Sequence, residues 1–264
     1  MTKFTDLNLN PKVLKAIEEA GYNSPTPIQA GAIPPALEGR DVLGIAQTGT
    51  GKTASFTLPM LSLLARGRAR ARMPRSLVLC PTRELAAQVA ENFDTYSKHL
   101  KLTKALLIGG VSFKEQDKLI DKGVDVLIAT PGRLLDLLDR RAVKLDSASF
   151  LVLDEADQML DMGFIHDLRK ISNLIPKDRQ TMLFSATMPK LMNEIANSYL
   201  QSPIRIEVSP PGKAADKVTQ EVHFIAQAGT TEPQKALLAK HIALIHTQPP
   251  PKNGPAQESA TRPL

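Results

Sequence analysis

The stretch AQTGTGKT, residues 46–53, follows the short apolar run Asp41–Ala46 and precedes a helical pattern that opens at Thr53. In a strand–loop–helix setting, Gly49 and Gly51 let the backbone curl into a nest of N–H donors around phosphate oxygens, and the helix N-terminus adds partial positive charge. Lys52 can then reach the β- and γ-phosphates, and the Thr53 hydroxyl can ligate Mg²⁺. Ala46 stands where the usual pattern opens with Gly, but the strand and the closing Gly-Lys-Thr carry most of the specificity; Gln47, Thr48 and Thr50 complete the cradle. Such a loop binds a nucleoside triphosphate. Its metal site needs an acid at the end of another apolar strand. Phe150–Leu153 ends in Asp154, followed by Glu155, Ala156 and Asp157. Asp154 can hold Mg²⁺ through water, and Glu155 is placed to orient or deprotonate a water for attack on the γ-phosphorus. An acidic first helical turn explains two of these acids, but not their place after a strand far downstream of a phosphate loop.

The elements that must position these groups can be read from the hydrophobic pattern. Strands are expected at Asp41–Ala46, Ser76–Cys80, Ala105–Ile108, Asp125–Ala129, Phe150–Leu153, Thr181–Phe184 and Ile204–Val208. Most are near-continuous apolar runs, as for strands covered on both faces. Helices are expected at Thr53–Leu64, Glu84–His99, Arg133–Leu138, Ile165–Leu174 and Lys190–Leu200. Repeated βα units of this kind predict an α/β fold, a doubly wound parallel sheet with helices on both faces and ligands at the carboxyl ends of its strands. The domain spans residues 1–208. Residues 209–217 read as a linker, 218–246 as one further strand and helix, and the Pro-rich 247–264 as disordered.

Composition narrows the function classes. The chain has 264 residues, 33 Lys and Arg against 27 Asp and Glu, and is 42% hydrophobic and 23% charged, an ordinary globular balance. A single cysteine excludes a disulfide framework and a Cys-based zinc site, and suits the reducing cytoplasm. The start has no apolar leader, and no run of about 18 uncharged apolar residues occurs, so secreted and membrane-spanning readings are set aside. The net charge of +6 mildly favours a polyanionic partner. Arg66, Arg68, Arg70, Arg72 and Arg75 form either a solvated loop or an auxiliary phosphate contact. Cys80 ends a buried strand and reads as core, as do Met159, Met162 and Phe164. His241 and His246 share a helix face without a third ligand.

Asp154-Glu155-Ala156-Asp157 spells D-E-A-D, and with it the chain resembles the DEAD-box RNA helicases over about residues 4–208. Phe4 followed by GYNSPTPIQ resembles the ATP-binding Q motif, and AQTGTGKT has the Ala opening that this family uses. PTRELAAQ at 81–88, Gly109-Gly110 and TPGR at 130–133 resemble the segments that contact RNA, and SAT at 185–187 completes the set. The short sequence before the Q motif looks most like bacterial, RhlE-type members. The resemblance implies a RecA-like fold, ATP and Mg²⁺ as ligands, and roles for further residues. Gln29 would read the adenine edge, with the Tyr22 ring stacked on the base, while Phe4 pins the segment by packing. Arg83, Gly110, Thr130 and Arg133 would contact RNA through its backbone, so that binding is sequence-independent and salt-sensitive. Ser185 and Thr187 would hydrogen-bond toward Asp157 and tie the γ-phosphate site to the mutual position of two domains.

Helicases of this family use two RecA-like domains, the second supplying arginines from an HRxGRxxR-like motif; this sequence has no such stretch. Residues 218–246 resemble only the opening of that second domain. The expectation is a chain that binds ATP and Mg²⁺, contacts RNA weakly, hydrolyses poorly and does not unwind duplexes alone. A non-catalytic ATP- and RNA-binding module and another P-loop helicase or translocase acting on DNA are the alternatives.

Overall fold

The apolar runs lie side by side as one parallel sheet in this computed structural model, which describes residues 2–110 and 113–208. Its strands are β1 (Val42–Ile45), β2 (Ser76–Leu79), β3 (Lys104–Leu107), β4 (Val126–Ala129), β5 (Phe150–Leu153), β6 (Gln180–Ser185) and β7 (Ile204–Glu207). Their order is β3-β4-β2-β5-β6-β1-β7. All pairings are parallel, with Ile45 opposite Ser185 and Leu79 opposite both Ala129 and Leu153.

Side chains alternate between the two faces of a strand, and this divides the core. Val42, Val78, Val126, Val152, Met182 and Phe184 join the cluster with α1 (Pro11–Glu19), α2 (Pro27–Leu37), α3 (Lys52–Leu64) and α4 (Arg83–Ser97). Leu43, Leu77, Leu79, Leu127, Leu151 and Leu183 join the cluster with α5 (Phe113–Asp121), α6 (Pro131–Asp139), α7 (Ala156–Asp161), α8 (Ile165–Leu174) and α9 (Lys190–Tyr199). This is the expected RecA-like α/β arrangement. Phe4 is buried against the first cluster.

The structure adds α1, α2, α5 and α7 to the expected helices. In α2 the prolines Pro34 and Pro35 sit inside the helix, yet Ile28, Ala32, Ile33 and Ala36 are fully buried, and that burial outweighs the low helix propensity of Pro. Cys80 is buried as expected, and burial raises its thiol pKa. Met162, expected in the core, is instead 49% exposed at the end of α7. Residues 209–217, 218–246 and 247–264, including His241 and His246, lie outside the described residues.

Because every strand points the same way, the connections divide into two edges. Residues 66–75 leave the end of α3 and enter the start of β2, so the arginine-rich loop lies at the amino edge, away from the phosphate loop. Its arginines therefore do not reach the phosphate loop, and two of the five are engaged within the fold. Arg75 instead braces the fold, donating through Nη1 to Leu64 O and to Asp125 Oδ1 at 3.0 Å each, and Arg72 pairs with Asp121 at 2.7 Å.

Candidate functional site

The strand order rearranges the motifs at the carboxyl edge. Gly109-Gly110 follows β3, TPGR follows β4 and PTREL follows β2; beside them the DEAD acids follow β5, SAT follows β6 and the phosphate loop follows β1. Segments interleaved along the chain thus fall into two contiguous groups in space, one basic and backbone-rich, the other carrying the lysine and the acids.

In the second group, Thr50 Oγ1 donates to Gln47 O at 2.7 Å and fixes the loop, while Gly49 and Gly51 hold φ values of 83° and 91°. A Cβ on Gly51 would overlap Gln29 Nε2, so a side chain there would push the Gln29 amide aside as well as strain the left-handed backbone. Lys52 opens α3 and is 5% exposed. Its Nζ lies 3.1 Å from Glu155 Oε1, at an angle that falls short of a hydrogen bond. Thr48 Oγ1 donates to the same carboxylate oxygen at 3.3 Å.

The three acids have three different surroundings. Asp154 is 2% exposed and its Oδ1 has no partner. Burial pushes its pKa up to about 7, opposed by Lys52 and reinforced by Glu155 and Asp157. Glu155 sits in the left-handed region at φ 52°, ψ 50°, where a non-glycine residue is strained, and makes the sharp turn from β5 into α7. Asp157 is fully engaged: its Oδ2 accepts from Ala186 N at 3.2 Å, Thr187 N at 2.9 Å and Thr187 Oγ1 at 3.0 Å. Thr187 thus makes the expected bond toward Asp157. Ser185 does not, because its Oγ donates to Thr187 O at 2.7 Å and shapes the turn that presents Thr187.

The Q segment closes the other side. Gln29 Oε1 accepts from Thr26 N at 2.9 Å at the start of α2, and Nε2 donates to Gly51 O at 3.1 Å. An amide carries two donor hydrogens and two acceptor lone pairs, so each side of Gln29 keeps capacity for one more bond. Tyr22 is 52% exposed and lies edge-on to Tyr96, with ring centroids 6.2 Å apart. Burial and Tyr22 together raise the Tyr96 pKa to about 12. Tyr22, Gln29, Thr48, Gly49, Gly51, Lys52, Thr53, Asp154 and Glu155 line one cleft of about 500 Å³.

That cleft suits a magnesium nucleotide. Lys52 Nζ and Asp154 Oδ1 are both buried without a hydrogen bond of their own. Among the described residues no cluster of three or more His, Cys, Asp or Glu could hold a metal unaided. Mg²⁺ bound by few protein ligands and by phosphate oxygens needs no such cluster; here Thr53 and Asp154 are the residues that would hold it.

Of the groups expected to meet RNA, Arg83 and the glycine pair come together: Arg83 Nη1 donates to Gly109 O at 3.3 Å, and a Cβ on Gly110 would stand 2.9 Å from that nitrogen. Arg83, Glu84, Ala87 and Ile108–Gly110 border an open depression of about 400 Å³. Thr130 occupies the N-cap position of α6 after the neighbouring strand β4, without a side-chain capping bond. Arg133 differs from expectation, since it is 8% exposed and its Nε donates to Gln116 Oε1 at 2.9 Å. The first turn of α6 faces α5 there, and the guanidinium points into the fold.

Leu85, Gln88, Asn92 and Tyr96 also line the nucleotide cleft and were not singled out from sequence. Their spacing places them on one face of α4, the signal that could have found them. No described helix is long and apolar enough to cross a membrane.

Comparison with known proteins agrees with this layout. The family model described as DEAD/DEAH box helicase matches residues 26–195. The DEAD-box ATP-dependent RNA helicase RhpA of Helicobacter pylori is 41% identical over 250 residues, covering 95% of this chain and 49% of that protein. DEAD-box ATP-dependent RNA helicase 21 of Oryza sativa subsp. japonica is 42% identical over 244 residues, 84% of this chain and 33% of that protein. The ATP-dependent RNA helicase DeaD of Buchnera aphidicola subsp. Schizaphis graminum is 48% identical over 206 residues, 78% of this chain and 34% of that protein. The chain spans half or less of the length of these relatives, which include bacterial and plant proteins. With the family model covering the phosphate loop, the DEAD acids and the SAT turn, the chain belongs to the DEAD/DEAH box helicases and contains the DEAD-box core domain.

Proposed function

We propose that this chain is the ATP-binding core of a DEAD-box RNA helicase, coupling ATP binding and hydrolysis to RNA binding and remodelling. The observation that carries the reading is the cleft in which buried Lys52 faces Glu155 beside the unpartnered Asp154. Gln29 recognises the adenine edge with its remaining donor and acceptor, and Tyr22 stacks on the ring. The phosphates take Lys52 over from Glu155. The freed carboxylate accepts the proton of the water that attacks the γ-phosphorus, and ADP and phosphate leave. Thr53 and Asp154 would hold Mg²⁺, which when bound would offset negative charge on the nucleotide's phosphates.

Arg83, the Gly109-Gly110 backbone and the start of α6 at Thr130 offer donors to RNA phosphates on the neighbouring half of the same edge. No base edge is read, so binding is independent of sequence and weakens with salt. Among the described residues, no arginine borders the nucleotide cleft. In related phosphoryl-transfer enzymes such an arginine contributes about 10³–10⁵ in turnover, so hydrolysis by this chain is slow, duplexes are not unwound, and a second RecA-like domain is needed for full activity. The buried single cysteine suits a cytoplasmic setting.

The test is ATP turnover with and without single-stranded RNA, beside Lys52→Ala and Glu155→Gln. Nucleotide binding with low, RNA-insensitive turnover supports an isolated core, and adding a second domain in trans then raises the rate. Substantial RNA-stimulated turnover lost in both variants would mean that a catalytic arginine comes from this chain itself. Tighter binding to a DNA strand than to RNA would refute the RNA reading.

A further inference from the structure

Gln116 lies outside every segment discussed from sequence, yet it is 1% exposed on α5, an unusual place for a residue type that mostly faces water. Both ends of its amide are engaged. Nε2 donates at 3.1 Å to the carbonyl of Ile108, the residue just before Gly109-Gly110. Oε1 accepts at 2.9 Å from Nε of Arg133, in the first turn of α6. One peptide beyond Ile108, Gly109 O accepts from Arg83 at the start of α4. A single buried amide therefore joins the turn after β3 to the helix start after β4, and through Gly109 to the helix start after β2.

We infer that Gln116 is the positioning residue of the RNA-facing half of the edge, holding the Gly109-Gly110 backbone and the Thr130 helix start in register without touching RNA itself. The inference rests on the RNA reading proposed above. Residues 108–110 belong to no helix or strand, so side-chain bonds such as these hold their carbonyls and N–H groups in place. Arg133 is buried in the first turn of α6, so losing the Gln116 acceptor removes the hydrogen bond that ties this turn to the segment before Gly109-Gly110. The nucleotide cleft is bounded by other strands and does not include Gln116.

The experiment titrates the intact chain with fluorescein-labelled oligouridine by anisotropy, and separately with a fluorescent ATP analogue. Gln116→Met keeps the length of the side chain and removes both bonds. Gln116→Glu keeps an acceptor for Arg133 and loses the donor to Ile108. Arg83→Ala marks the RNA surface. Gln116→Met is expected to weaken oligouridine binding about tenfold or more, with nucleotide affinity kept within about twofold, and Gln116→Glu to fall between it and the unaltered chain. Unchanged oligouridine affinity in Gln116→Met overturns the inference. So does a parallel loss of nucleotide and oligouridine binding in both variants, which marks Gln116 as general scaffold; if Gln116→Met does not fold, Gln116→Glu decides on the same two readouts. Should the unaltered chain bind no oligouridine, or Arg83→Ala bind as well as it does, the functional reading fails and this inference with it.

Discussion

Glu155→Gln removes a charge without changing shape, and the structure gives its two consequences opposite signs. In the absence of nucleotide, Glu155 competes for the lysine that the phosphates need, with Nζ and Oε1 at 3.1 Å. Two unit charges at that separation attract by about 5 kcal/mol at an effective dielectric constant of about 20. Desolvation offsets most of this, and the glutamine dipole keeps a weaker contact through Thr48 and Lys52, leaving about 1–2 kcal/mol for the nucleotide to overcome. Removing the charge also removes a negative neighbour of the γ-phosphate. ATP is therefore expected to bind about five- to thirtyfold more tightly to Glu155→Gln, while turnover falls by about 10²–10⁴, as for loss of a general base. Displacement of a fluorescent ATP analogue reads the first and phosphate release the second. Weaker or unchanged ATP binding would refute the competition for Lys52, whatever the turnover.

Four further outcomes follow from the same geometry. Gly51→Ala, which strains a residue at φ 91° and drives a methyl group into Gln29, should cost about 1–2 kcal/mol in thermal stability and lose most nucleotide affinity; a melt and a nucleotide titration check it. Asp154 has its folded-state pKa raised by burial from 3.8 to about 7, so the folded chain binds the extra proton and loses stability as pH rises from about 4 to 7, by roughly 2–4 kcal/mol. Asp154→Asn should accordingly raise the melting temperature in EDTA at pH 8 but not at pH 4, and abolish Mg²⁺-dependent turnover. Thr187→Val, which deletes one of the three donors to Asp157 Oδ2, should destabilise by about 0.5–1.5 kcal/mol, and Ser185→Ala, which removes the bond to Thr187 O that shapes this turn, should lower the melting temperature by a similar amount. Arg66→Glu with Arg68→Glu should leave ATP turnover and oligouridine binding unchanged, since this loop lies at the amino edge of the sheet; a loss of either would place it at the site after all.

Most of the strands were legible because they are short, continuous apolar runs covered on both faces, whereas β7 shows the alternation of a partly exposed edge, and their bounds agree with the sequence within about two residues. The helices that went unassigned have physical reasons. Residues 27–37 contain Pro34, Pro35 and Gly31, which argue locally for a loop, whereas the helix survives through the burial of its apolar side chains. The Ala156–Asp161 helix is too short to show a period. Among site residues, those with a chemically distinctive type at a strand end could be found one by one. Burial could not: nothing in TPGR says that Arg133 turns inward, and nothing in a polar helix says that Gln116 is the residue it turns to. The segregation of motifs into two halves was equally hidden, because the order β3-β4-β2-β5-β6-β1 is a property of pairing and not of spacing along the chain.

The acids of residues 154–157 show how much the fold adds to a motif. In sequence they are three similar carboxylates within four positions, all equally able to hold a metal, activate water or cap a helix. The end of β5 buries the first with an orphaned oxygen, so its charge is tolerable only beside a cation. The left-handed turn at the second lifts its carboxylate to Lys52 and Thr48, where it is paired but not buried, and free to exchange partners when phosphates arrive. The first turn of α7 aims the third at the SAT backbone, whose two N–H groups and one hydroxyl satisfy a single oxygen. A carboxylate oxygen already held by three donors has little acceptor capacity left for a metal ion or water, which leaves it to register the position of the loop after β6. Exchanging any two of these surroundings would give the same four letters a different chemistry. The motif is therefore readable as a function only together with the strand that ends before it.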